Sequence, residues 1–133
     1  MWTPQPTFFE NYTVNDIVEV PKSGNLPQIL HGPTNVTAFL GDRVEMRCQV
    51  PTNVRPLPTV QWFSKREGKL PTVGPNFRIH KNNSLIFRRV DKRDESYYHC
   101  VAKNRQGTVE SDPARLTVEG MKTLLEQFHL LLF

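Results

Sequence analysis

From residue 27 to residue 118, short stretches rich in β-forming residues recur about every ten positions, and turn residues separate them. This spacing is typical of an all-β sandwich or barrel. No helical period lies between the stretches, which argues against a parallel α/β fold. The sequence predicts seven to eight strands, over residues 28–30, 36–39, 44–50, 60–63, 77–80, 84–87, 97–102 and 108–118.

Three segments divide the chain by texture. Residues 1–26 contain several prolines and no steady period, which indicates a flexible linker or a remnant of a preceding segment. Residues 27–119 form the predicted domain. In residues 120–133, apolar side chains recur at helix-like spacing, which predicts a short hydrophobic tail that can form a helix. The sequence shows neither a secretory signal nor an apolar run of the roughly 20 residues needed to span a membrane.

The chain has two cysteines, Cys48 and Cys100, and each lies on the apolar side of an alternating stretch. Cys48 shares its side with Val44 and Met46, and Cys100 shares its side with Tyr98. The two cysteines form one disulfide or are two separate buried thiols. Their spacing alone does not decide between these alternatives.

Their surroundings resemble a known pattern. The resemblance is to the immunoglobulin signature, and its residues here are Cys48, then Trp62, then Asp94-x-Ser96-x-Tyr98-x-Cys100. The interval between Trp62 and Cys100 leaves little room for two extra strands, so the module resembles the I-set type. The resemblance implies an all-β, immunoglobulin-like two-sheet antiparallel β-sandwich.

The same resemblance implies structural roles for individual residues. A Cys48–Cys100 disulfide bridges the two sheets, and Trp62 packs against it. Tyr98 closes a corner through its hydroxyl. Arg78 pairs with Asp94 at the base of the sandwich.

A finer resemblance points to receptors. Residues 27–37 resemble the opening of immunoglobulin domains in Roundabout-type guidance receptors. Residues 100–104 with Gly107 resemble the ending common in neural adhesion receptors. The resemblance implies a non-catalytic, extracellular or cell-surface recognition module of an adhesion or axon-guidance receptor. Its partner is then a protein ligand or a cell-surface receptor, and a second copy of the chain belongs to that class.

Two other interpretations stay open. An intracellular structural I-set module of a cytoskeletal or muscle protein shares the same fold with reduced cysteines. A truncated receptor fragment is the third interpretation, with residues 120–133 in place of the rest of the receptor. Three N-x-S/T glycosylation acceptors favour secretion, at Asn11, Asn35 and Asn82.

Candidate binding residues are few. Phe63 is the candidate partner contact if its ring points outward. The chain carries a formal net charge of +4, and a basic group suggests heparan sulfate or simply a solvated surface; its members are Arg88, Arg89, Lys92 and Arg93. No aromatic interleaving accompanies this charge, which argues against nucleic acid. The four histidines are scattered and no nucleophile, phosphate-loop or metal-ligand motif is present, so the sequence predicts no enzyme, metal or cofactor.

Overall fold

The computed structural model describes residues 24–120 of the chain. This range contains nine short strands and one turn of 3-10 helix, joined by loops. The strands are β1 Val36–Phe39, β2 Val44–Met46, β3 Thr59–Ser64, β4 Gly68–Lys69, β5 Phe77–Ile79, β6 Leu85–Phe87, β7 Ser96–Asn104, β8 Gly107–Glu110 and β9 Ala114–Glu119. The 3-10 turn covers Lys92–Asp94, just before β7. Most of the predicted linker and tail lies outside the described residues.

The strands form two sheets. The large sheet has the order β1-β9-β7-β3-β4, and β8 pairs with the second half of β7. The small sheet has the order β2-β6-β5. Every pairing is antiparallel except that of β1 with β9, which runs parallel. The predicted all-β sandwich of two sheets is confirmed.

The core lies between the sheets because the strands alternate inward apolar and outward polar residues. Along β7, Tyr98, Cys100 and Ala102 are buried. Cys48 and Cys100 form the disulfide that joins the two sheets. Trp62 is fully buried in the same apolar cluster, and its indole nitrogen donates a 2.7 Å hydrogen bond to the carbonyl of Asn83. The one polar atom of this large side chain is therefore satisfied inside the core.

Tyr98 closes the corner of the sandwich at which the 3-10 turn leads into β7. Its hydroxyl donates to the backbone carbonyl of Asp94, four residues earlier. Burial raises the pKa of Tyr98, so the hydroxyl keeps the proton that it donates. The ring also packs edge-on against Phe87 of the small sheet, with ring centroids 5.4 Å apart. This side chain thus links the turn, β7 and the opposite sheet.

The predicted pair of Arg78 with Asp94 is wrong. Asp94 accepts hydrogen bonds from the side-chain amide of Asn76 and from the backbone nitrogen of Asp91 instead. Phe77 faces the core and packs on Phe87, so strand alternation turns the next residue, Arg78, outward to solvent. The amide two positions before Arg78 takes the place that the resemblance had given to the arginine.

The strand predicted at 44–50 ends at Met46 as β2, and β4 at Gly68–Lys69 was not predicted. Two further predicted strands also differ in the structure. Residues 28–30 form no strand: the chain makes one isolated bridge, from His31 to Gln49, and Pro33 has no backbone donor to continue the pairing. The predicted strand at 108–118 is two strands, β8 and β9, separated by residues 111–113. There the hydroxyl of Ser111 accepts from the nitrogen of Cys100 at 3.0 Å, and the following proline has no donor for a continuous ladder.

Candidate functional site

The two outward faces of the sandwich carry the candidate binding residues, because the inward faces are consumed by the core. On the large sheet, β3 and β7 pair along six residues, from Thr59↔Lys103 to Ser64↔Tyr98. Both strands also hold central core residues, Trp62 and Cys100. Side chains on the outer side of these strands therefore stand on a rigid support.

An aromatic cluster occupies that outer side. Phe63 lies directly opposite His99, and their rings stack with centroids 5.2 Å apart and planes 10° apart. Tyr97 and Val101 lie on the same side of β7 by strand alternation. We call Phe63, Tyr97, His99 and Val101 the aromatic face. Its members are half-buried except Tyr97, which is 41% exposed.

Charged groups surround the aromatic face. The ammonium of Lys65 and the guanidinium of Arg115 lie over the Tyr97 ring, 5.9 Å and 5.3 Å from its centroid. Such cation–π contacts orient the ring while they leave its edge accessible. His99 Nε2 lies 3.4 Å from a carboxylate oxygen of Glu110 on β8. An apolar centre with a charged rim is the usual anatomy of a protein interface.

Glu95 fixes the edge of this face beside the start of β7. One carboxylate oxygen accepts from the backbone nitrogen of Val118 at 2.9 Å and from Lys92 Nζ at 3.1 Å. The other accepts from the guanidinium of Arg115 at 3.2 Å. The bond from Val118, then the bond from Lys92, hold the pKa of Glu95 below its ordinary value. Glu95 thereby ties β9 to the turn before β7 and positions the arginine above Tyr97.

The outer side of the small sheet has a different character. Four arginines, Arg43, Arg78, Arg88 and Arg89, line an open groove of about 530 Å³. The predicted basic group is therefore divided, since only Arg88 and Arg89 belong to this groove. Lys92 is bonded to Glu95 and to the carbonyl of Val118, and Arg93 pairs with Asp91 at 3.1 Å.

The predicted glycosylation sites can be located in part. Asn35 is exposed just before β1, and its side-chain oxygen accepts from the nitrogen of Arg115 at 2.8 Å. Asn82 is exposed in the turn between β5 and β6, and its side-chain oxygen accepts from the nitrogen of Ser84 at 3.0 Å. In both asparagines the side-chain oxygen makes the bond, so the side-chain nitrogen, to which a glycan would be attached, takes no part in it. Asn11 lies outside the described residues.

Phe63 was predicted as a contact residue from the sequence, and the other members of the aromatic face were not. The alternation of β7 that placed Tyr98 and Cys100 inward also places Tyr97, His99 and Val101 outward. The outward residues of this alternating stretch therefore carry the signal for the aromatic face in the sequence itself. Within residues 24–120, no group of three or more His, Cys, Asp or Glu side chains is arranged to hold a metal ion. No helix in this same range is long and apolar enough to cross a membrane.

Comparisons with known proteins agree with this architecture. Residues 27–118 match the family model described as the immunoglobulin I-set domain. The chain is 32% identical over 71% of its length to Drosophila melanogaster peroxidasin, 38% identical over 61% to human Roundabout homolog 3, and 33% identical over 64% to the rat netrin receptor DCC. Each match covers 6% of the relative's own length.

Solved structures show the same fold. The tandem Ig repeats of Dlar superpose with a TM-score of 0.66 at 27% identity, over 77% of this chain and 52% of that one. The titin M3 domain superposes with a TM-score of 0.61 at 26% identity, over 71% of this chain and 97% of that one. The immunoglobulin-like sandwich is thereby confirmed.

Proposed function

Because the chain belongs to the immunoglobulin I-set family, we propose that it is a non-catalytic, extracellular recognition module of the cell-adhesion or axon-guidance receptor type. The aromatic face binds a protein ligand. The observation that carries this proposal is the stacked Phe63–His99 pair beside the half-exposed Tyr97, on paired strands of the large sheet. Residues 27–119 act as one domain in this proposal.

Rigidity supports the choice of this face. Association loses less free energy to ordering when the contact residues are fixed before binding. Stacking fixes Phe63, and two cations restrain Tyr97. Aromatic residues near the centre of an interface carry a large share of binding energy, while the polar rim excludes water. A second copy of this chain is one protein that such a face can accept.

The extracellular part of the proposal has three supports. A disulfide joins Cys48 and Cys100, and such bonds persist in oxidising compartments. Two glycosylation acceptors, Asn35 and Asn82, are exposed. Several relatives are named as Roundabout proteins or netrin receptors. The intracellular alternative is supported by the likeness to titin M3.

Binding through the aromatic face is tested with the full chain against an array of secreted ectodomains that includes the chain itself. We expect at least one ectodomain to bind, and Phe63→Ala to weaken that binding about tenfold or more. Thr108→Ala, on the neighbouring β8, is the matched control and leaves the affinity within about twofold. An affinity that Phe63→Ala does not change contradicts the proposed face.

Compartment is tested on protein isolated from animal cells that express it. Mass analysis without reductant should show an intact Cys48–Cys100 bond, and glycosidase should remove mass from Asn35 or Asn82. Free thiols together with unmodified asparagines would contradict the extracellular assignment and favour the intracellular module.

A further inference from the structure

The groove on the small sheet concentrates positive charge in one place. Its lining contains four arginines and no acidic residue. We call its four cations, Arg43, Arg78, Arg88 and Arg89, the arginine groove. Arg78 lies on β5, Arg43 directly precedes β2, and Arg88 and Arg89 directly follow β6. These neighbouring strands lie about 4.8 Å apart, which brings the four side chains to one groove.

Strand register explains why arginines distant in sequence meet. Phe87 faces the core between Val44 and Phe77. Continued by one residue, the same register brings Arg88, just after β6, beside Arg43, just before β2, and both side chains are exposed. The nitrogen of Arg88 also bonds to the carbonyl of Asn76 at 3.1 Å, which keeps the start of β5 alongside. Arg78 lies outward opposite Ile86, which forms part of the floor.

These arginines are poorly neutralised. Within residues 24–120, no carboxylate forms an ion pair with Arg78, Arg88 or Arg89. Arg43 lies 3.7 Å from Glu45 and is 60% exposed, so this pair contributes little. The cations beside the aromatic face differ, since Arg115 is bonded to Glu95. The groove therefore keeps donors available for an external anion.

The outer side of the small sheet carries most of the formal charge of the described residues. Arg47 extends the arginine row along the edge of β2, 3.9 Å from Glu45. These five arginines and Glu45 give this side a formal charge of +4, whereas the other residues in the range 24–120 contain ten basic and eight acidic side chains, a formal charge of +2. The positive charge of the described residues is thus concentrated on one side, where it attracts a polyanion.

From this arrangement we propose that the arginine groove binds a linear sulfated polysaccharide of the heparan sulfate type. The planar guanidinium fork donates two parallel hydrogen bonds to an oxyanion, so arginines set at strand spacing match repeated sulfate groups. The aromatic residue of the lining, Phe77, packs against the core and on Phe87 and so offers no outward ring to stack a base, which disfavours single-stranded nucleic acid. This site is separate from the aromatic face and does not depend on its function.

The test measures binding of the full chain to immobilised heparin over a range of salt concentrations. The double variant Arg78→Gln/Arg88→Gln should bind about tenfold more weakly, and its plot of log affinity against log salt should be shallower by roughly two. The matched control Lys69→Gln/Lys103→Gln removes the same charge from exposed positions on the large sheet and should change the affinity by less than about twofold.

A second variant separates arginine geometry from charge. Arg78→Lys/Arg88→Lys keeps the charge but loses the bidentate fork, so it should bind with intermediate affinity. Equal losses of heparin affinity in Arg78→Gln/Arg88→Gln and in the control Lys69→Gln/Lys103→Gln would overturn the proposal, since net charge alone would then account for binding. Equally tight binding to desulfated heparin, to duplex DNA or to phosphatidylserine vesicles would overturn it too. Thermal unfolding of every variant shows that a lost affinity is not a lost fold.

Discussion

The two sheets pack on the same core, yet their outer faces differ in aromatic content and in how their charged side chains are paired. The aromatic face is a stacked, half-buried patch whose cations are paired or lie over Tyr97. On the arginine groove the cations are exposed, and three of them have no carboxylate partner among residues 24–120. The inner sides of the sheets are alike because packing dictates them, whereas the outer sides are free to suit partners.

If the two faces share one interior, breaking that interior should disable both together. Replacing the pair, Cys48→Ala/Cys100→Ala, removes a crosslink that spans 52 residues and should lower the free energy of unfolding by about 4 kcal/mol. Urea unfolding measures the loss. A variant whose free energy of unfolding falls by less than about 1 kcal/mol, or that keeps one binding activity while the other disappears, would show that the two faces do not depend on one shared core.

Two adjacent tyrosines of β7, Tyr97 on the outer side and Tyr98 on the inner side, should contribute differently to the free energy of unfolding. Tyr98→Phe removes the hydroxyl that donates to Asp94 and should cost about 1–2 kcal/mol in urea unfolding. Tyr97→Phe is the matched control on the outer side and should cost less than about 0.5 kcal/mol. Equal losses for the two tyrosines would show that the corner bond does not stabilise the sandwich.

The two faces should also respond to different solution conditions. The Glu95 contacts beside the aromatic face should make stability depend on pH, whereas binding at the arginine groove should depend on salt. The lowered pKa of Glu95 means that its stabilising effect is present above its ordinary value of 4.5 and is lost as pH falls through the folded pKa. Burial raises the pKa of neighbouring Asp94, so that residue contributes in the opposite direction, and its contribution is lost as pH rises through its folded pKa.

Glu95→Gln isolates the first of these effects. Its free energy of unfolding should rise less between about pH 3 and pH 6 than that of the unchanged chain, because the charge-dependent bonds to Val118, Lys92 and Arg115 are weakened at all pH values. Urea unfolding at both pH values measures this difference, with Glu119→Gln at an exposed position as the control. Identical pH dependence in the unchanged chain and Glu95→Gln would remove the proposed anchor of the aromatic face.

Local patterns predicted the inward half of the molecule well. Alternation identified the buried side of β7, and the resemblance supplied the disulfide and the two-sheet fold. Boundaries were weaker where a side chain interrupts the ladder, as Ser111 does between β8 and β9. The pairing of Arg78 with Asp94 failed because a one-residue step along a strand reverses the direction of the side chain.

The sequence alone predicted the buried side of most strands, since apolar alternation along a strand is a local property. Strand β6 is the exception, because all three of its residues, Leu85–Phe87, are buried. Only the tertiary structure decided which outward residues are neighbours, because that depends on how strands distant in sequence are paired. Phe63 meets His99, and Arg43 joins Arg88, through registers that no local pattern contains. Both candidate binding surfaces arise from that pairing.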